Sequence, residues 1–219
     1  GRAVGLALVG NDMYVGYLKS GDIMKVPGAL SPSISTSPVS SLVASTSDGK
    51  GVWALVFHGL DMYVAEIGGF GLSRIPDPAG VTRAACNVAA PCAASSLKPQ
   101  ISFFPGGLAS DGVLLYVGDS PITVPGSVLQ YDPTQPISVT NPVSYSVNVP
   151  AYTSKFNGVT QTQYVGIAGL ALAPNGDLYV ADDPTTHLIV VAPAVLPTQE
   201  GHLWKVGFSG IPLTVRSFA

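Results

Sequence analysis

An all-β propeller of about four blades, each a short four-stranded antiparallel meander, is the fold predicted by three features of the sequence. An apolar stretch, a tight turn and an apolar-Tyr-Val strand recur four times along the 219 residues. A second strand-like element follows each copy. The composition also disfavours helices. Glycine and proline make up a fifth of the chain, and glutamate occurs only at Glu66 and Glu200 against eleven aspartates. Aspartate favours turns and caps, whereas glutamate favours helix interiors.

The repeat reads GLALVGNDMYVGY from Gly5, VWALVFHGLDMYVAE from Val52, GGLASDGVLLYVGD from Gly106 and GLALAPNGDLYVADD from Gly169. Its tyrosines are Tyr14, Tyr63, Tyr116 and Tyr179, at spacings of 49, 53 and 63 residues. Val9 to Asp12 and Pro174 to Asp177 carry the Asn and Gly residues that tolerate positive φ in tight hairpins. The second element is GDIMKV from Gly21, GLSRI from Gly71, GSVLQY from Gly126 and GHLWKV from Gly201, with HLIVV from His187 as an alternative in the fourth unit. Its alternation of apolar and polar positions suits half-buried strands. Ser41 to Ser45, Val81 to Ala85, Val143 to Val149 and Ile211 to Phe218 are the candidate closing strands.

One such sheet cannot cover both of its faces, and radial repetition can. The expected units are residues 1–50, 51–104, 105–165 and 166–219, in one domain. Pro27 to Pro38, Ala84 to Pro99 and Asp132 to Asn157 read as surface connectors.

Only 11% of the residues are charged and the formal net charge is -3. A coiled coil, a long helical bundle and a highly charged disordered tail are excluded. The lack of a basic excess argues against nucleic acid as a partner. The longest apolar run, Leu188 to Leu196, is broken by Pro193, whereas a membrane-spanning helix needs about 20 residues. The chain begins at Gly1 and shows no basic-then-apolar leader, so it reads as processed or as a piece of something longer.

The fourth unit, GLALAPNGDLYVADD, resembles the NHL-repeat signature and the related six-bladed families of lactonase and strictosidine-synthase type. The other three units resemble it more loosely. The resemblance implies a propeller and no particular reaction, because these folds host binding proteins, scaffolds and enzymes alike. Six blades are usual in those families and four units are present here. Two arrangements follow: a compact four-bladed ring, or a segment of a larger propeller completed by further sequence or by another chain.

Lactonase-type relatives hold a central metal with acidic and amide ligands. The inner strands here, AVGLALV, VWALVFH, GGLAS and GIAGLALA, are nearly free of such residues. Nor does the chain carry a G-x-S-x-G elbow, an H-E-x-x-H pair or a phosphate-cradling glycine loop. No catalytic residue and no cofactor is assigned, and the identity of any metal ligand is left open.

Candidate binding residues remain. His58 ends an inner strand, near an axial mouth. Glu66, Asp119 and Asp182 each follow a repeat tyrosine by three residues. They are read either as an acidic ring around the axis that attracts a cation or a basic partner, or as caps of backbone NH groups at a hairpin turn. Trp53 and Trp204 are read either as exposed aromatics for recognition or as packing between blades. Phe103 and Phe104 lead into an inner strand, and one of them is expected to point outward. Cys86 and Cys92, five residues apart, suit a small disulfide loop; free thiols and a metal site are the alternatives. A disulfide places the protein in the periplasm or outside the cell, and the scarcity of ionised pairs suits acidic surroundings.

The function expected is a non-catalytic extracytoplasmic binding or assembly module whose partner is a protein or a surface polymer. The alternatives are a hydrolase of lactonase or esterase type with its site in the axial channel, and a structural subunit of a larger redox or cell-surface complex.

Overall fold

Each repeat folds into the hairpin that its alternation dictates. β1 (Ala3–Val9) pairs antiparallel with β2 (Asp12–Tyr17), and Gly10 turns between them at a φ of 58°. The computed structural model describes residues 1–31, 40–46, 51–67, 71–80, 92–93, 95–97, 105–120, 126–136, 141, 143–146, 152–156, 159–163, 166–183, 203–206 and 216–218. All regular structure among them is β.

The first blade continues through β3 (Asp22–Val26) and β4 (Ser41–Ser45). The second runs β5 (Gly51–His58), β6 (Asp61–Ile67), β7 (Gly71–Ile75). Two short strands follow, β8 (Cys92–Ala93) and β9 (Ser95–Ser96). β9 closes the second blade antiparallel to β7, while β8 returns to the first blade and pairs parallel with β4. These two blades form one compact unit, Gly1–Ile101.

The other unit, Ser102–Ala219, repeats the plan. Its first sheet is β10 (Pro105–Ser110), β11 (Leu115–Asp119), β12 (Ser127–Tyr131) and β13 (Val143–Ser146), in that order. A separate hairpin, β14 (Tyr152–Phe156) with β15 (Val159–Gln163), comes next. The last sheet is β16 (Gly166–Leu172), β17 (Leu178–Asp183), β18 (Leu203–Val206) and β19 (Arg216–Phe218).

The fold is therefore all-β, made of propeller-type blades, as the sequence predicts. Some boundaries differ. The second blade closes with Ser95–Ser96; Val81 to Ala85 lie outside the described residues, as does HLIVV. Part of the connector from Asp132 to Asn157 is strand, because its Ser/Thr-rich stretch pairs as the β14–β15 hairpin.

Within each unit the two blades stack through a fixed pair of faces. Cross-strand partners share a face. On one face of the first blade lie Gly5 with Gly16 and Ile23, then Ala7 with Tyr14 and Lys25. It meets Leu55 and Val64, Phe57 and Met62 of the second blade, with Val52 beside them, in a common core. In the other unit, Ala109, Tyr116 and Val128 of β10–β12 pack on Ile167, Leu170, Leu178 and Val180 of β16–β17. The small residues are what permit the approach. A methyl group on Gly16 would overlap Val52, and one on Gly118 would stand 2.6 Å from Cγ2 of Ile167.

Candidate interaction surface

All four inner hairpins carry a β-bulge at the same rung. The register slips between Ala3 and Gly5, Val52 and Ala54, Pro105 and Gly107, and Ile167 and Gly169. The extra residues are thus Val4, Trp53, Gly106 and Ala168. Bulges sharpen the local twist and re-aim neighbouring side chains. Opposite the bulges stand Tyr17, Glu66, Asp119 and Asp182.

Asp119 ends β11, and Glu66 and Asp182 stand next to the last residues of β6 and β17. Glu66 and Asp119 form the final rungs, with Gly71 and Ser127, before the chain passes to the next strand. Glu66, Asp119 and Asp182 are only 3%, 6% and 7% exposed. Each is engaged in further interactions within the fold. Beside Asp119, the fully buried Ser120 accepts a hydrogen bond from Ile167 N at 2.6 Å and donates one to Ile167 O at 3.2 Å. This clamp fixes the bulge of β16 against the end of β11.

The opposite ends of the hairpins hold a second repeated device. Asp12 Oδ2 binds Lys25 Nζ at 2.7 Å, and its Oδ1 accepts from Gly28 N at 3.0 Å. Asp61 does the same one blade on. Its Oδ2 takes Arg74 Nε at 2.7 Å and Nη2 at 2.5 Å, and its Oδ1 accepts from Asp77 N at 3.1 Å. Lys-Val-Pro-Gly and Arg-Ile-Pro-Asp are one motif, and both final residues take positive φ, 65° at Gly28 and 45° at Asp77. The Lys25 ammonium beside Asp12 and the Gly28 NH hold the Asp12 carboxyl below its usual range; Asp12 in turn raises Lys25. Burial pushes the Tyr14 phenol up, with Lys25 lying 5.8 Å over its ring.

The third blade replaces this pair. Asp111 Oδ1 accepts from Val113 N and Leu114 N at 2.8 and 2.6 Å, and Oδ2 accepts from the Tyr116 hydroxyl at 2.8 Å. Burial opposes ionisation of Asp111, but the Leu114 and Val113 NH groups and Tyr116 outweigh it and keep its carboxyl below the usual range.

Of the sequence-derived candidates, His58 and Trp53 are half-buried on β5. His58 stands edge-on to Tyr63 at 6.1 Å between ring centroids, beside the turn to Asp61. Trp53 is the extra residue of the β5 bulge. Phe103, Phe104 and Cys86 lie outside the described residues, and Cys92 is placed only as backbone in β8.

The surface that sequence reasoning missed is apolar. Leu6 and Leu8 of β1 are 60% and 52% exposed, whereas Leu55, at the register position of Leu6 one blade on, is 5% exposed. Both leucines share the face of the first blade that carries Val15 and Met13, away from the second blade. Covering one leucine fully contributes about 1.5–3 kcal/mol. Repeat alignment carried the signal: Leu6 and Leu8 match Leu55 and Phe57.

No family model matches the chain, and no curated protein matches it. Among solved structures, it is similar to the β-propeller domain of Cps50 (Swd1) from Myceliophteria thermophila, with 10% identity and a TM-score of 0.49 over 99% of this chain and 57% of that one. It is also similar to the PQQ-bound aldose sugar dehydrogenase of Streptomyces coelicolor, with 11% identity and a TM-score of 0.47 over 99% and 80%. A 6-phosphogluconolactonase candidate from Bacteroides uniformis gives 12% identity and a TM-score of 0.49 over 95% and 67%. The chain thus spans less than two thirds of the Swd1 propeller domain. The blade assignment rests on the strand register above, independently of these likenesses.

Proposed function

We propose that this chain is a non-catalytic assembly module that works outside the cytoplasm and docks through a blade face onto a β-sheet of another macromolecule. The observation that carries the reading is the exposure of Leu6 and Leu8 where the repeat buries Leu55. Large apolar side chains aligned on one sheet face mark interaction surfaces. The paired polar groups support it too: Asp12 and Lys25, Asp61 and Arg74, and Asp111 and Tyr116 each act within their own blade. The sparse charge and the two closely spaced cysteines support the extracytoplasmic setting.

The test joins a panel of esters and lactones, with and without calcium, to binding of an apolar fluorescent dye. The expected result is no turnover, and dye binding that Leu6→Lys/Leu8→Lys removes without lowering the melting temperature. Turnover that persists in the double variant overturns the proposal, as does dye binding indifferent to the substitution.

A further inference from the structure

Aspartate precedes proline three times, at Asp77–Pro78, Asp132–Pro133 and Asp183–Pro184. Such a bond is prone to hydrolysis in acid for two reasons. The proline nitrogen belongs to a tertiary amide and departs readily once protonated. The aspartate carboxyl can also close a five-membered ring on its own main-chain carbonyl, and a nucleophile held that near replaces a bimolecular step by an intramolecular one. The surroundings that the fold gives each bond then decide which of them reacts.

Asp132 follows directly on β12, and its carbonyl oxygen accepts from two donors, Gln135 N and Asn141 Nδ2, each at 3.1 Å. Donors aimed at a carbonyl oxygen stabilise the charge that grows on it when its carbon is attacked. Asn141 is itself pinned in the loop. Its Oδ1 accepts from Asp132 N at 3.0 Å, and its Nδ2 also reaches Pro136 O at 3.2 Å and Gln135 O at 3.3 Å. The carboxyl is held as well, since Asp132 Oδ1 accepts from Thr134 N at 2.9 Å and from Thr134 Oγ1 at 2.6 Å. Thr134, Gln135 and Asn141 carry no titratable group, so acid leaves these donors in place. Asp132 and Pro133 are half-buried beside the exposed Thr134, Gln135 and Pro136, and water reaches the bond. Asp77–Pro78 is the contrast. Both of its residues are buried, Asp77 being only 4% exposed, which keeps out the water that hydrolysis consumes.

We propose that Asp132–Pro133 is a self-cleavage site: in acid the folded chain cuts itself there, and the third blade stays assembled around the cut. An oxygen of the Asp132 carboxyl attacks the Asp132 carbonyl carbon. The C–N bond to Pro133 breaks, and the proline nitrogen takes a proton from solvent and leaves as a secondary amine. A cyclic anhydride remains on Asp132. One water then opens it and restores both carboxyl groups, so the net change is hydrolysis of one peptide bond. The pieces, Gly1–Asp132 and Pro133–Ala219, stay joined across the cut because Ser127 to Gln130 of β12 pair with Val143 to Ser146 of β13. The packing of Ala109, Tyr116 and Val128 on Ile167, Leu178 and Val180 also links them. This inference is independent of the assembly reading, which rests on the first blade.

The experiment holds the full chain at about pH 2.5 in two arms, folded in buffer and unfolded in guanidinium chloride. Products are followed by mass spectrometry, and circular dichroism verifies the state of each arm. The first cut is expected after Asp132, about tenfold faster or more in the folded arm than in the unfolded one. Asn141→Ala should slow the cut about tenfold in the folded arm and leave the unfolded arm unchanged. Asp132→Asn, which lacks the attacking carboxyl, should stay whole at this bond. On size exclusion without denaturant, the cut chain should elute with the intact 22.4 kDa chain. Equal rates in the two arms overturn the proposal, as does a first cut at Asp77–Pro78 or Asp183–Pro184. So do unabated cutting of Asp132→Asn, fragments that elute apart, and a chain already unfolded at that pH. If Asn141→Ala misfolds, the comparison of folded with unfolded parent chain decides without it.

Discussion

Gly16 of the first blade lies directly beneath Val52 of the second, and the side chain the glycine lacks is the space the valine fills. The same relationship holds between Gly118 and Ile167 in the other unit. Gly16→Val should therefore cost about 1–3 kcal/mol through overpacking. Combining it with Val52→Ala should recover part of that loss, with a coupling of about 1 kcal/mol in a double-mutant cycle measured by urea unfolding. Strict additivity of the two substitutions would show that the residues do not share this space.

Ser120→Ala removes both hydrogen bonds to Ile167 and leaves the buried Ile167 N–H without its acceptor. A loss of about 1–3 kcal/mol is expected. Hydrogen exchange should locate the damage at the start of β16, with the β14–β15 hairpin unaffected.

Asp111→Asn should destabilise the third blade by about 1–3 kcal/mol, because a charged acceptor of three hydrogen bonds is replaced by an amide. Tyr116→Phe removes only the hydroxyl bond and should cost about 0.5–1.5 kcal/mol. Chemical denaturation of the two variants gives the ranking directly; a larger loss for Tyr116→Phe contradicts it.

The Asp12–Lys25 pair has a defined pH signature. Asp12 is shifted down, so its contribution is complete above the ordinary value of 3.8 and fades as pH falls through its depressed value. Lys25 is shifted up, so its contribution is complete below 10.5 and fades as pH rises through its raised value. Asp12→Asn keeps an acceptor for Gly28 N and removes the charge. It should lower stability by no more than about 1 kcal/mol from pH 5 to 9, since the pair is partly exposed. Melting curves of variant and parent should converge only as pH falls through the depressed value of Asp12.

The same reasoning extends to the whole chain. Thirteen carboxylates face ten lysines and arginines, and the described ion pairs are few. A melting temperature at pH 2.5 within about 10 °C of that at pH 7 is expected, most of the difference tracing to Asp12 and Asp111. Collapse at low pH would remove the case for an acidic habitat.

Most of the blade plan was legible because alternation and turn residues are local signals. Tyr14, Tyr63, Tyr116 and Tyr179 sit at one register position in four hairpins, as their spacing implied. The position of the acids was less legible. An acid three residues past a tyrosine marks the strand end next to the connection, but the bulge that faces Glu66, Asp119 and Asp182 across the hairpin leaves no local signature in the sequence. The β14–β15 hairpin escaped notice because its polar run, Thr160 to Gln163, lacks an apolar face. Leu6 and Leu8 resemble core residues in every local respect, and their exposure, against the burial of Leu55 at the matching register position, is a property of packing that the local sequence does not carry.

The return of β8 to β4 has a consequence for both blades of the first unit. Cys92–Ala93 and Ser95–Ser96 supply an edge strand to each blade of the first unit, and they follow the described strands β1 to β7 in the chain. Neither sheet is complete without this one short segment, so a deletion of residues 92–96 should weaken the outer edges of both blades together.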